Sequence, residues 1–255
     1  MYKELSKYEE ISLRQCFKIL ANYDIIAVKP KSLDLECFDR FSNVVSFDDY
    51  FFESIHGYNE LLLSDRFYEK FLTYEYMLIY QLDAFVFKDN LMEWCSRGYD
   101  YIGAPWIIPE YNRLKAFYSN IKGKIYRAFN VKRKGLPSAK QLHNCVGNGG
   151  LSLRRTELFY RLSKEFKAEA NKFVLQKKLA FNEDVFWSIE LNRWIRRIKK
   201  PNYLKALEFS IETFPVYAFG LLEGKTPFGC HAWDRYLDVW KIKIENEGYS
   251  LAAAK

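Results

Sequence analysis

The chain has 255 residues, of which 49% are hydrophobic and 18% aromatic, and its formal net charge is +7. That length and apolar content support a well-filled core and exclude a disordered chain. The surplus of positive charge points to an anionic partner, whether nucleotide, nucleic acid or membrane surface, without choosing among them.

No run of about 18 uncharged apolar residues occurs, so no transmembrane helix is predicted. The opening "MYKELSKYEE" has no apolar signal-peptide core. The five cysteines, Cys16, Cys37, Cys95, Cys145 and Cys230, are odd in number and form no CxxC pair. Reduced thiols in a cytoplasmic protein are the expectation.

In chain order, residues 5–22 show helical periodicity through Leu5, Tyr8, Ile11, Leu13, Phe17 and Leu20. "YDIIAVKP" and "NVVSF" read as short strands. "GYNELLLSDRFYEKFLTY" reads as helix broken near Ser64, a cap for a second helix. "YMLIYQL" (76–82) is a continuous apolar run of the kind found centrally in parallel sheets. "DNLMEWCSRG" is a short helix with Asp89 as N-cap and Gly98 as C-cap, and "YDYIGAPW" is a strand. This alternation predicts an α/β fold with a mainly parallel central sheet in three layers, and with ligands at the carboxyl ends of the strands. Asp83 falls at such an end, beside Ala84, Phe85, Val86 and Phe87. A carboxylate there is costly unless it is exposed, paired or used.

Residues 111–134 hold eight Lys or Arg and no acid, with Phe117, Ile121, Ile125 and Phe129 at four-residue steps. A basic amphipathic helix is expected, interrupted by Gly123. It is either packed on the domain or free for a membrane surface or an acceptor. "CVGNGGLSLRR" predicts a tight glycine turn around Asn148 that lets backbone approach a ligand. It is neither a P-loop nor a GxGxxG. "TELFYRLSKEF" is helical. "FNEDVFWSIELNRWIRRIKK" is a second helix capped by Asn182, with Glu183 and Asp184 in its first turn, where acids also complement the helix dipole. Late in the chain, His231 stands in "FGCHAW". A single domain over 1–250 is expected, with 251–255, "LAAAK", as an appended tail.

The order Asp83, Gly-Asn-Gly-Gly, Glu183-Asp184, His231 resembles the GT-A type of nucleotide-sugar glycosyltransferase. Within it, the chain is similar to a bacterial family from capsule and O-antigen polysaccharide loci. The matching stretches are "LSKYEEISLRQCFKIL", "YEYMLIYQLDAFVFKD", "YDYIGAPW", "GNGGLSLR", "NEDVFW" and "PFGCHAW". The resemblance implies a Rossmann-related GT-A fold, with a nucleotide-sugar half at about 1–110, a basic helical insertion at 111–134 and an acceptor half at about 140–240.

It also implies an inverting transfer from a nucleotide-diphosphate sugar, a UDP-sugar foremost, to a glycan or lipid-linked acceptor. This would occur on the cytoplasmic side, with peripheral membrane contact through 111–134. Asp184 is then the base, and Glu183 holds donor or acceptor hydroxyls. Asp83 contacts the donor or a divalent cation (Mn or Mg), and His231 is the late metal or diphosphate contact. Asn148, Gly149 and Gly150 approach the donor sugar. Tyr58 and Asn59 lie on the nucleotide side, with Tyr2 and Lys3 as the remnant of the wall around the base. Trp106 stacks on a sugar face or packs in the core.

A leaving diphosphate needs a cation or basic groups, and an acceptor hydroxyl needs a base within reach. Two departures stand against the pattern. Phe85 occupies the place of the second acid of Asp-x-Asp, which puts metal dependence in question, and the usual first strand is expected to be missing. The alternatives are a non-catalytic nucleotide-binding member of the same fold, a basic nucleic-acid binder, and a zinc site from His143, Cys145, Cys230 and His231.

Overall fold

The computed structural model describes residues 4–34 and 39–251. The first helix, α1 (Lys7–Ile19), starts where the sequence places a capping box. The Ser6 side chain accepts from the Glu9 amide, and the Glu9 carboxylate returns the bond to the Ser6 amide. Its inner face buries Ile11, Ser12, Gln15 and Cys16.

The backbone of the site is a three-stranded sheet of β3 (Tyr76–Tyr80), β8 (Cys145–Arg155) and β5 (Tyr101–Trp106), with β8 in the middle. Both pairings are antiparallel: Tyr76 lies opposite Arg155 and Tyr80 opposite Leu151, while Tyr101 lies opposite Arg154 and Trp106 opposite Cys145. A second sheet joins three two-residue strands, β4 (Phe85–Val86), β10 (Gly229–Cys230) and β9 (Ser210–Ile211). Here β10 runs antiparallel to β4 and parallel to β9. The strands β1 (Ile26–Pro30) and β2 (Asn43–Phe47) form a separate parallel pair, and β6 (Lys132–Arg133) with β7 (Leu136–Pro137) a small hairpin.

The fold is therefore mixed α/β, as expected, but the sheets are mostly antiparallel rather than mainly parallel. The apolar run at 76–82 was the cue for a central parallel strand. Only 76–80 is strand, it is half-buried, and it lies at the edge of its sheet. The central strand is instead the glycine-rich "CVGNGGLSLRR". What was read as a turn is an extended strand with ten of its eleven residues buried. Glycine permits a turn, but here its missing side chain serves a different need, the close approach of neighbouring side chains to the strand.

Apolar residues gather on both faces of this sheet. One cluster includes Leu62 of α2 (Ile55–Leu63), Phe67 of α3 (Asp65–Glu69), Phe159 of α6 (Thr156–Glu165), Tyr101 and Trp187. The other includes Cys16, Trp94 of α4 (Leu91–Ser96), Phe209 of α9 (Tyr203–Phe209), Leu151 and Leu153. Each fully buried aromatic or aliphatic side chain contributes about 1.5–3 kcal/mol. The aromatic richness of the chain is largely spent here, in edge-to-face pairs such as Tyr68–Trp187 and Trp94–Phe209.

The helix expected over 181–200 is shorter than its pattern. It consists of α8 (Glu183–Val185) and a π-helical stretch at Phe186–Glu190, after which the chain is irregular. The basic segment does form a helix, α5 (Arg113–Ala128), followed by the 132–137 hairpin. Among the described residues, no helix is long and apolar enough to cross a membrane.

Candidate functional site

Three short strands bring the first part of the site together. Register places Cys230 opposite both Phe85 and Ile211. The residue after β10, His231, therefore meets the residue after parallel β9, Glu212, and the turn just before antiparallel β4, which carries Asp83. The turn is closed by the Ala84 amide donating to the Gln81 carbonyl at 2.9 Å. Backbone bonds hold the arrangement: the His231 amide donates to Ile211 O at 2.9 Å, and the Gln81 amide to Gly150 O at 2.9 Å. The last of these ties the two sheets at the site.

His231 is 8% exposed and sits between two carboxylates. Its Nε2 lies 3.0 Å from Asp83 Oδ1 and 3.1 Å from Gln81 Oε1, and its Nδ1 lies 3.5 Å from Glu212 Oε1. The Nδ1 contact is an ion-pair approach rather than a formed hydrogen bond. Burial works against the imidazolium, but the hydrogen bonds and charges of Asp83 and Glu212 outweigh it and lift the pKa to about 9. Asp83 is held below the usual carboxylate range: burial opposes this, and His231 overrides it.

Behind His231 the ring lies on bare backbone. A Cβ at Gly150 would stand 2.0 Å from His231 Nε2. A Cβ at Gly149 would stand 2.5 Å from Glu183 Oε1. Both glycines were expected to admit a donor sugar. What they admit is the protein's own His231 and Glu183, because β8 passes between these side chains. Asn148 is buried, and its Oδ1 accepts from the Gly150 amide at 3.2 Å.

Glu183 and Asp184 are neighbours in sequence but have different surroundings. Glu183 is buried in a two-pronged ion pair with Arg154, at 2.9 and 3.1 Å, and Arg154 also donates to Tyr68 Oη at 2.8 Å. The Glu183 amide donates to Asn59 Oδ1 at 2.9 Å, and Asn59 Nδ2 donates to Asn182 Oδ1 at 3.2 Å. Glu183 is thus occupied by Arg154. The role expected for it, holding sugar hydroxyls, would require that pair to open.

Asp184 remains partly open to solvent, and its Oδ1 accepts from the Val185 amide at 2.7 Å. Among the described residues no cation pairs with it, since the ion pair of Arg154 goes to Glu183. Desolvation and the charge of Glu183 push its carboxyl well above the ordinary range. A carboxyl raised in this way is the poise expected of a general base or acid.

Tyr58 and Asn59 reach the site from α2. Gln81 Nε2 donates to Tyr58 Oη at 2.9 Å, completing a chain Tyr58–Gln81–His231. Burial raises the Tyr58 pKa to about 12, so its hydroxyl stays protonated. Trp106 is half-buried against the cluster of Cys145, Val185 and Ile189, with its ring over Gly147, which is the core-packing alternative. Tyr2 and Lys3 lie outside the described residues.

Phe85 is fully buried, packed against Phe87, Trp233 and Tyr249. A carboxylate in its place would face that core and not Asp83, so the Asp-x-Asp spacing has no counterpart in this strand. The Asp83–His231 pair does not fit a metal either. As placed, His231 Nε2 meets Asp83 Oδ1 and Gln81 Oε1 directly, so a cation held by this pair would have to displace that contact. Among the described residues, no group of three or more His, Cys, Asp or Glu side chains is disposed to hold a metal ion. The zinc alternative is dispersed: His143 meets Ser119, Cys145 meets Ser188, and Cys230 is in the core.

Sequence reasoning passed over Gln81, Arg154 and Glu212. Glu212 carried the signal that singled out Asp83, an acid inside an apolar run, here "FSIETF". Arg154 carried its mirror image, a cation inside "GLSLR". A cavity of about 430 Å³, lined by Lys124, Arg127, Ser188, Arg193 and Lys200 among others, lies apart and shares no residue with this cluster.

The chain belongs to the family described as "Protein of unknown function (DUF5672)", whose model matches residues 41–231. The matched segment runs from just before β2 to His231 itself, so every residue of the cluster falls inside it. A comparison with curated proteins finds no match.

Proposed function

We propose that this protein is a glycosyltransferase of GT-A-like kind. It would move a sugar from a nucleotide-diphosphate donor to a glycan or lipid-linked acceptor, with inversion and with Asp184 as base. One observation carries the reading. Asp83, Glu212 and His231 converge just past the ends of β3, β9 and β10, and the raised carboxyl of Asp184, without a cation among the described residues, stands beside Gly149 of β8.

In the step proposed, Asp184 takes the proton from the acceptor hydroxyl. The acceptor oxygen bonds to the anomeric carbon, and the bond from that carbon to the diphosphate breaks, the electron pair leaving with the diphosphate. His231, cationic below about pH 9, supplies positive charge toward the leaving group. Asp83 and Glu212 keep the ring in its charged form. The scheme uses this chain's own residues and needs no metal.

The test is turnover of a panel of nucleotide sugars by the full chain and by Asp184→Asn. Loss of about 10²–10⁴-fold in rate, with a melting temperature equal to or above wild type, supports Asp184 as base. The melting temperature should not fall, because the folded state already disfavours the ionised carboxyl. Unchanged turnover removes Asp184 from the chemistry.

A second reading rests on a different observation: Glu183 is already closed into its pair with Arg154, and His231 Nε2 is already engaged by Asp83 and Gln81. A non-catalytic nucleotide-binding role fits that closure. It predicts a raised melting temperature with a nucleotide diphosphate and no turnover of any donor.

A further inference from the structure

Helix α5 packs the wrong way round for a soluble domain. Its small and polar side faces the protein. Gly123 is buried, and a Cβ there would stand 3.1 Å from His143 Cβ and 3.2 Å from His143 O, so the helix approaches this segment closely because it has no side chain at that point. Ser119 Oγ meets His143 Nδ1 at 3.3 Å, and Arg127 donates at 2.8 Å to the carbonyls of both Gln141 and His143.

The apolar side faces out. Leu114, Phe117, Tyr118, Ile121 and Ile125 are 71%, 61%, 68%, 39% and 48% exposed, and Phe129 at the end of the helix is 72% exposed. At 100° per residue these five helical side chains share one arc of the helix. Arg113 and Lys124 flank it on one side, and Lys115 and Lys122 on the other. Near the end of the helix Arg193 donates to the Arg127 carbonyl, and the adjoining Trp194 and Ile195 are 75% and 61% exposed. A contiguous apolar face of this kind on a monomer marks an interaction surface.

We infer that the outward face of α5 is the docking surface for an anionic lipid bilayer, the helix lying in the plane of the headgroups. Charge complementarity selects this occupant. The segment 111–134 holds eight cations and no acid, the nearest acid in sequence being Glu110. Half-buried Lys140 adds to the field: the proximity of Lys122 lowers its pKa, as expected where cations crowd without anions. An apolar stripe bordered by lysines, with a tryptophan close by, is the pattern of interfacial helices. A second copy of this chain would bring like charge onto like charge. Single-stranded nucleic acid would meet the cations but would leave aliphatic Leu114, Ile121 and Ile125 without a stacking partner.

The experiment is flotation of the full chain with vesicles of one part phosphatidylglycerol to three parts phosphatidylcholine, and with phosphatidylcholine alone. The reading needs no turnover, so it stands or falls apart from the proposed transfer. Binding to the anionic vesicles at least about tenfold stronger than to neutral ones, weakening with salt, is the expected result. Phe117→Glu with Ile121→Glu should lower it about tenfold or more without moving the melting temperature, since both side chains are exposed. Lys115→Glu with Lys122→Glu should lower it and flatten its salt dependence.

Wild-type binding to neither vesicle, or the Phe117/Ile121 double variant binding as wild type, overturns the inference. So does a dimer in sedimentation velocity that this double variant dissolves, which would make a second copy the occupant. An oligonucleotide that binds the wild-type chain and is lost by the Phe117/Ile121 double variant, with neither vesicle bound, would assign the surface to nucleic acid.

Discussion

The charges around β8 and the charges on α5 are managed in opposite ways. At β8, Arg154 answers Glu183, and Asp83 and Glu212 answer His231, all within the protein and mostly out of water. On α5 the cations stand in solvent around an apolar stripe and look outward for their complement. The first arrangement holds the fold in one state. The second adds little to the fold and makes sense through what it meets. A buried charge must be answered where it lies, because its desolvation is otherwise too costly. An exposed cation loses little by waiting.

Glu183→Gln is the strongest attempt to break that contrast. It leaves Arg154 buried without its anion, and a loss of about 3–5 kcal/mol in stability is expected by denaturant unfolding. A loss comparable to that of an exposed α5 substitution would mean that the β8 cluster is not internally balanced. Gly150→Ala comes next. The new methyl would collide with the His231 ring, which is fixed on both sides by carboxylates, and about 1–3 kcal/mol should be lost. An alanine in place of exposed Lys124 of α5 meets no ring to displace.

A pH dependence is expected as well. The His231 pKa is about 9 in the fold against an ordinary 6.5, so the stability it contributes is fully present below pH 6.5 and is lost as pH rises through about 9. Asp83, lowered in the fold, loses its contribution only at acid pH, as pH falls through its depressed value. The melting temperature should therefore decline between pH 6.5 and 9, and His231→Gln should reduce that slope. An unchanged slope would mean that the imidazole is neutral at its place between Asp83 and Glu212.

Much of the chain was legible locally. The capping box at Ser6, the break at Ser64, the amphipathic α5 and the mixed α/β class follow from short-range rules of capping and periodicity, which involve residues a few places apart. Asp83 was also legible as an anomaly, a charge set in apolar surroundings, whereas Asp184 and His231 were singled out by the resemblance. Strand direction was not legible. A fully apolar run such as "YMLIYQL" suits a parallel centre or an antiparallel edge equally, and only its partner decides.

The glycine run shows the same limit. The sequence by itself determined that backbone at 147–150 must be approached closely by something. Tertiary structure alone decided that the something is Trp106, Glu183 and His231, brought in from elsewhere in the chain. It also decided that Glu183 is bound to Arg154 while Asp184, one residue on, is left without a cation among the described residues. Successive residues at a helix start point in different directions, and a difference of direction separates a structural ion pair from a group free to react.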